Sequence, residues 1–466
     1  MISLFAAWSV AAAAGQDAPL EIGALAEAWP AVEGAAEHIG PWWEDLGDPM
    51  LSEHVARGLV ANPDLAAARA RHAQSQGGAL LAFSPLAPRA SFDISASGQP
   101  ADVVFRCNVG PIDPAEFGAT GQDPVDGLCW QGNALLNVGW QLDVFGRQAT
   151  QYSAARYEAE AAEGDQDAAA LRVGSAVASA YLDVVAARAQ VGIIESQQSA
   201  QRALLEVIEL RYEQGGASGL DVLQQRQSVA GIEANLPTAR ANAASRGFAL
   251  QALLAQPPGA TLQVGAELPA PRPLPDIGTP DALLSRRPDL RAASRRVAAS
   301  RARHSSALVG LAPTIGVSAN AGWAYAVADE WSTIGTWGLG GNLSVPLFNG
   351  GAAHGGLRQA AAARDATARA YDTALLNAVR DVQSAAVLER EQALRHTATG
   401  AQVAAARAAY DEARDRYLRG IDTFLTVLQT QNALLGAELS HLQAHRDRLS
   451  ARIQLWTALG GTGVNQ

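Results

Sequence analysis

His441 and His445 stand four residues apart near the end of the chain, a spacing at which two imidazoles on one helix face can share a metal ion. The glutamate of a zinc-peptidase motif is absent beside them, so the expectation is a solvated helix face and no metal. Cys107 and Cys129 lie in one loop-like stretch, too few for a disulfide scaffold and wrongly spaced for zinc. In an oxidising compartment they could staple that stretch, worth roughly 3 kcal/mol on the chain-entropy account. Two separate thiols are the alternative. No Gly-x-Ser-x-Gly elbow occurs, and no Gly-x-Gly-x-x-Gly follows a strand-like run. Lysine is missing altogether, so all 35 Lys/Arg-type cations are arginines. That absence excludes a P-loop and a Schiff-base amine. A net charge of −11 argues against a nucleic-acid partner. Nothing assembles acid, base and nucleophile, so neither catalytic residues nor a cofactor are expected.

The elements that would carry any function are delimited by proline. All 22 prolines fall between Pro19 and Pro124 or between Pro237 and Pro346. The proline-free spans can therefore hold very long helices, Arg147 to Gln214 and Ala352 to Arg419. At about 1.5 Å per residue, each would reach roughly 100 Å. In the last helix Leu428, Leu435, Leu442, Leu449 and Trp456 repeat every seven residues, with Leu425, Asn432, Leu439, Arg446 and Ile453 as companions. This is a coiled-coil stripe with polar interruptions. Val173, Val177, Tyr181, Val184 and Val191 line one face of an earlier helix. Residues 1–15 read as a signal peptide on the apolar run Ile2–Ala14, although no basic residue precedes it and a buried helix is the alternative. No other stretch offers about 18 consecutive apolar residues for a membrane helix.

The chain is duplicated. Arg211-Tyr212-x-x-Gly215, leading to Leu220-x-Val222-Leu223-Gln224, recurs as Arg416-Tyr417-x-x-Gly420 and Leu425-x-Val427-Leu428-Gln429, an offset of 205 (416 − 211). Pro63-Asp64-Leu65 and Leu86-Ala87-Pro88 recur as Pro288-Asp289-Leu290 and Leu311-Ala312-Pro313, an offset of 225 (288 − 63). Two repeats follow, 50–256 and 281–459, with a Pro-rich linker over 257–280 and a tail over 460–466.

Each repeat carries two alternating segments, expected as strands at about 90–98 and 134–143, then 314–322 and 338–347. Each has an apolar and a polar side. About nine or ten residues is the length a tilted strand needs to cross a bilayer. Trp130, Trp140, Trp323, Tyr325, Trp331 and Trp337 cluster at or near the strand ends, as interfacial girdles do. The polar sides, with Asp93, Asn137, Gln141, Asp143, Asn320 and Asn342, suit a watery lumen. Four strands cannot close a barrel, and an open edge in lipid leaves backbone groups unsatisfied at several kcal/mol each. Other copies must complete the wall, and a conducting pore favours three or more. A soluble sheet on a periplasmic coiled-coil scaffold is the alternative.

In their order and spacing, several strings resemble the TolC-like outer-membrane factor family, in its drug-efflux (NodT-type) branch. They are PWWEDLGDPML (41–51), NPDLAAARAR (62–71), WQLDVFGR (140–147), GLDVLQQRQ (219–227), RRPDLRAASRR (286–296), VPLFNGG (345–351) and RYLRGIDTFLTVLQTQNALLGAEL (416–439). The resemblance implies a mixed α/β membrane fold. Three chains give four strands each to a twelve-stranded transmembrane β-barrel, continued by a coiled-coil α-helical barrel. The 16–49 segment and the linker would belong to an equatorial belt. It further implies a homotrimer in outer-membrane lipid, a periplasmic adaptor protein and an inner-membrane pump, and passive export of small molecules; protein secretion is the nearest rival. The periplasmic gate would lie at the two helix tips, with Asp221 and Tyr417 as a linking pair joined by Asp422, Thr426 and Gln429. Asp221 as a simple helix cap is the alternative. Gly215, Gly219, Leu220, Gly420, Phe424 and Leu425 would form the tip turns and adaptor contacts. Relatives often carry carboxylates where Thr426 and Gln429 stand, and some carry a basic residue at Asp422, so a cation-selective acidic constriction is not expected. Many members of this branch are lipidated at a leader cysteine; none precedes Cys107, so lipidation is expected only if the true start lies upstream.

Overall fold

A computed structural model describes residues 41–100, 128–270, 272–273, 279–327 and 331–461. The leader-like residues and Cys107 fall outside them, and of Cys129 only the backbone is described. The chain runs helix–helix–strand–strand–helix–helix twice. The first pass comprises α1 (Pro49–Ala61), α2 (Pro63–Phe83), β1 (Arg89–Pro100), β2 (Leu128–Leu142), α3 (Arg147–Glu213) and α4 (Gly219–Leu253). The second comprises α5 (Pro280–Arg286), α6 (Pro288–Val309), β3 (Thr314–Val327), β4 (Trp331–Ser344), α7 (Ala352–Leu418) and α8 (Phe424–Ala458).

Proline opens α1, α2, α5 and α6, where its missing N–H costs nothing and its φ is already helical. Asp48 caps α1, accepting from the N–H groups of Met50 and Leu51 at 2.8 and 3.2 Å. The long helices α3 and α7 each run 67 residues, ending one residue earlier than expected from proline placement. Pro237 departs from that rule by lying inside α4. It removes one N–H and so deprives the Glu233 carbonyl of its intrahelical donor, yet the helix continues.

The chain divides into two compact units, within 1–71, 163–293 and 369–466, and within 72–162 and 294–368. In the first, Trp42, Leu51, Val55 and Leu65 pack with Val177, Tyr181, Leu182, Leu250, Ile453 and Trp456. A second cluster joins Leu283, Leu290, Leu375, Val382 and Leu455. Leu65 and Leu290, mates across the duplication, thus anchor separate cores. The apolar face of α3 forms as expected, with Val173, Val177, Tyr181 and Val184 buried. One window of α3 is apolar enough by length and composition to cross a membrane, although it is not an unbroken apolar run, and 44% of it is buried. The stripe on α8 needs correction. Toward its start the buried residues are Phe424, Val427, Gln431 and Leu434, while Leu425 and Asn432 are exposed. Packing around Val427 rotates that seam by one residue from the leucine repeat.

The linker is strapped to α8. Arg452 donates to the carbonyls of Arg272 and Pro273 at 2.9 and 2.6 Å and pairs with Glu389 at 2.8 Å and Asp45 at 3.3 Å. Trp456 Nε1 donates to the same Asp45 at 2.9 Å. Outside this buried network, arginine–carboxylate pairs bridge α3 and α4, including Arg226–Glu209 at 2.8 Å, Arg240–Glu195 at 2.7 Å and Arg202–Glu233. Exposed pairs of this kind contribute about 0–1 kcal/mol each.

The second unit holds one antiparallel sheet in the order β1-β2-β3-β4. Its strands are 12, 15, 14 and 14 residues long, longer than the alternation alone indicated. The fourth begins at Trp331 rather than 338 and stops at Ser344, two residues before Pro346. Pro346 cannot donate to a ladder.

Candidate functional site

Two places bring the expected residues together, and each lies within one unit. At the first tip, α3 ends in a glycine turn: Gly215 has φ +78°, and Gly216 N–H donates to the Arg211 carbonyl at 2.7 Å. Ser218 then caps α4. Its Oγ accepts from Asp221 N–H, and the Asp221 carboxylate accepts from Ser218 N–H, each at 3.2 Å. The second tip repeats the turn at Gly420, φ +76°, with Ile421 N–H on the Arg416 carbonyl at 2.9 Å. Left-handed backbone of this kind is cheap for glycine alone.

The tips are joined side to side. Tyr417 Oη donates to Asp221 Oδ2 at 3.3 Å, so Asp221 both caps its helix and holds Tyr417. Arg211 donates to the carbonyls of Tyr417 and Leu418 at 3.1 and 2.9 Å, and its guanidinium lies 5.1 Å from the Tyr417 ring. Burial pushes the Tyr417 phenol up to about 12, helped by the neighbouring Asp221 charge. It therefore stays a hydrogen-bond donor at any physiological pH. Under it, Leu204, Ile208, Val222, Phe424 and Val427 form a small core.

Phe424, expected as an adaptor contact, belongs to that core, with its ring 5.3 Å from Tyr417 and only 2% exposed. Tyr417, Val222 and Val427 are covered with it. Leu220 and Leu425 are exposed, as is Gln429, and Gly219 opens α4 under the Tyr212 ring. Asp422 stays local: it accepts from Thr423 N–H at 2.7 Å and Thr426 Oγ1 at 3.0 Å and faces Arg416 at 3.5 Å. Its carboxyl is held below the usual range, first by the Thr423 N–H, then by Thr426. Sequence reasoning missed that Arg211 joins the two tips. The cue was present, a cation in the last turn of a helix, but its acceptors lie more than 200 residues away.

The duplication is not kept in detail here. Tyr212 and Tyr417 are repeat mates, yet Tyr212 is 53% exposed and Tyr417 5%. Arg211 reaches across to the other tip, whereas its mate Arg416 turns back on Asp422.

The sheet separates its faces over most of its length, Leu135 opposite Asp93 being an apolar exception on the polar side. Phe92↔Leu136, Leu136↔Ala321 and Ala321↔Trp337 pair along one face, as do Trp140↔Val317 and Ile315↔Leu343. Phe92, Ile94, Leu136, Trp140, Trp323, Trp337, Leu339 and Leu343 are all exposed there. The other face carries Ser91↔Asn137 and Asn137↔Asn320, with Asn342 beside Gly316. Asp93 accepts from Ser91 Oγ at 2.7 Å and Asn137 Nδ2 at 2.8 Å on this polar side, where Gln141 is also exposed. Asp143 does not belong to the lumen set. It lies just past β2, and its carboxylate accepts from the N–H groups of Gln148 and Ala149 at 2.9 and 2.8 Å, capping α3.

The histidine pair is not a free solvated face. His396 of α7 stacks on His441 with centroids 4.7 Å apart and lies 4.8 Å from His445. His445 Nε2 bonds the linker carbonyl of Pro269 at 3.0 Å, and His441 Nδ1 lies 3.1 Å from Thr399 Oγ1. Among the described residues, no three ligating side chains converge on a metal position.

The family model described as outer membrane efflux protein matches residues 56–256 and 279–461. The pyoverdine export outer membrane protein OpmQ of Pseudomonas aeruginosa is 31% identical over 473 residues, covering 99% of this chain and 96% of that protein. The toluene efflux pump outer membrane protein TtgF of Pseudomonas putida is 29% identical, over 90% of this chain and 85% of the relative. Among solved structures, the outer-membrane channel OprN matches with a TM-score of 0.81 at 27% identity, covering 95% of this chain and 96% of that one. The Campylobacter jejuni CmeC outer membrane channel gives a TM-score of 0.80 at 18% identity, over 92% and 90% of the two chains, a likeness of fold alone.

Proposed function

Because this chain belongs to the outer membrane efflux protein family, we propose that three copies close into the exit duct of a tripartite efflux system. Membership already sets aside the soluble scaffold. The single observation that supports the ring is the sheet: one face apolar and exposed, the other polar, and β1 and β4 left as outer strands among the described residues. Outer-membrane lipid would meet the apolar face and passing solute the polar one. Leaving those edges unpaired in hydrocarbon would cost several kcal/mol per backbone group. Twelve strands suffice for a conducting lumen, whereas eight fill their interior with side chains.

The joined tips would form the periplasmic gate. The Tyr417–Asp221 bond and the Arg211 contacts hold the tips together, and the exposed Leu220 and Leu425 offer purchase to a periplasmic adaptor protein and its inner-membrane pump. A hydrogen bond of this type contributes about 1–3 kcal/mol, little enough for a binding partner to undo. The cargo class is small organic molecules, in keeping with relatives named for pyoverdine and toluene. The test is conductance in planar bilayers. Asp221→Ala combined with Tyr417→Phe should raise the closed-state current several-fold, and an unchanged current would remove the gate from these residues.

A further inference from the structure

A layer of buried glutamines separates the tip core from the next core along the same helices. On α3, Gln197 and Gln201 fall between Ile194 and Leu204; on α4, Gln225 falls between Val222 and Ile232; on α8, Gln431 falls between Val427 and Leu435. In each pair one flanking residue belongs to the tip core and the other to a cluster built on Ile194, Ile232 and Leu236. Three helices thus interrupt their apolar runs at one level. Gln225 and Gln431 are 0% and 1% exposed, so water does not reach them from outside.

The hydrogen bonds of this layer divide it. On the α3–α4 side, Gln225 Nε2 donates to the Gln201 carbonyl at 2.7 Å, and Ser228 Oγ to Gln201 Oε1 at 3.0 Å. On the α7–α8 side, Arg407 pairs with Glu438 at 2.5 Å. Between the two sides Gln197 Nε2 reaches Glu438 Oε2 at 3.4 Å, long for a bond to a carboxylate. Gln431 has no hydrogen-bond partner at either amide atom among the described residues, and Gln225 Oε1 accepts from none. A buried polar group without a partner bears its full desolvation cost, which an apolar side chain would avoid. The two orphans are complementary, an amide donor on α8 and an amide oxygen on α4.

On the gate reading above, we propose that Gln431 is a gating residue whose hydrogen bond is made only in the open state. When the Tyr417–Asp221 bond parts, α8 shifts against α4 until Gln431 Nε2 donates to Gln225 Oε1. The unpaired amides then weigh on the closed arrangement alone, and the bonds at the tips offset them. Buried polar residues in coiled coils commonly select one arrangement of the helices at a cost in stability. Here the arrangement selected is the one the tips oppose.

Conductance in planar bilayers tests this in the Asp221→Ala, Tyr417→Phe background. Gln431→Leu removes the donor and sets an apolar side chain of similar size in its place. It should cut the leak of that background roughly tenfold and raise the detergent melt of the otherwise unaltered chain. Gln431→Met, unbranched like glutamine, should do the same where leucine packs badly. Gln225→Met should also reduce the leak, and joined to Gln431→Leu should reduce it no further than Gln431→Leu alone, because both remove one bond. Additive reductions overturn the pairing. A leaking background that leaks as much or more with both Gln431 variants overturns the switch and leaves the gate standing. Melts lowered by both variants show the amide already satisfied in the closed state and overturn the proposal. A background without leak removes the gate, and this inference with it.

Discussion

Arg452→Met should destabilise the protein more than any surface charge change. Arg452 and Glu389 are 5% and 2% exposed at their side chains and 2.8 Å apart. Removing the guanidinium while keeping most of its apolar stem leaves the Glu389 carboxylate buried without its partner and frees the carbonyls of Arg272 and Pro273. Breaking a buried pair from one side typically costs about 3–5 kcal/mol. In a unit of this size that lowers a thermal midpoint by on the order of 10 °C. Arg452→Met with Glu389→Met leaves no unpaired charge and should recover most of the loss, because Asp45 keeps its bond from Trp456 at 2.9 Å. The assay is a detergent melt followed by far-UV circular dichroism on parent, both single variants and the double. Arg452 Nε, which has no hydrogen-bond partner, contributes nothing to the loss. A single variant within about 1 kcal/mol of parent, or a double variant that melts as low as the single, would refute the reasoning.

Two further outcomes follow from local geometry. Gly420→Ala places a Cβ in open space but on backbone at φ +76°, so it should cost about 1–2 kcal/mol through the backbone alone. Gly436→Ala, also in open space but inside α8, should be neutral or stabilising, and equal melts for the two would remove the strain argument. Burial, then His445, His441 and Arg448, push the His396 imidazole down to about 4 from an ordinary 6.5. A depressed histidine makes its full contribution above the unfolded value and loses it as pH falls from about 6.5 to about 4. Melts between pH 7 and pH 4 should therefore decline less steeply in His396→Gln, and an identical slope would show that this ring does not titrate there.

Much of this was legible from residue order because the deciding physics was local. The helices expected inside the proline-free spans, Arg147 to Gln214 and Ala352 to Arg419, match α3 and α7 to within a residue, and period-two alternation gave the faces of the expected residues that lie in the four strands. The failures share a cause in long-range packing. His396 lies on a different helix from His441 and His445, so no spacing rule joins the three. Phe424 looked like a surface tip residue until Tyr417 was found packed on it. Asp143 continues the polar alternation of β2, yet the chain turns there and spends its carboxylate on the next helix. The first half of β4, Trp331 to Thr336, puts Ser332, Ile334 and Thr336 on one face and Trp331, Thr333 and Gly335 on the other, a mixed pattern that does not extend the strand without the β3 ladder beside it.

Tyr212 and Tyr417 hold equivalent places in a doubled chain, but one ring looks outward and the other is packed away. The two halves are therefore chemically different at these tips, and in the proposed ring they would alternate. A docking protein that demands the outward tyrosine finds one berth per chain, whereas one content with only the shared leucines, Leu220 and Leu425, finds two. On the proposed assembly, the number of docking proteins per chain would follow from which side chain they read.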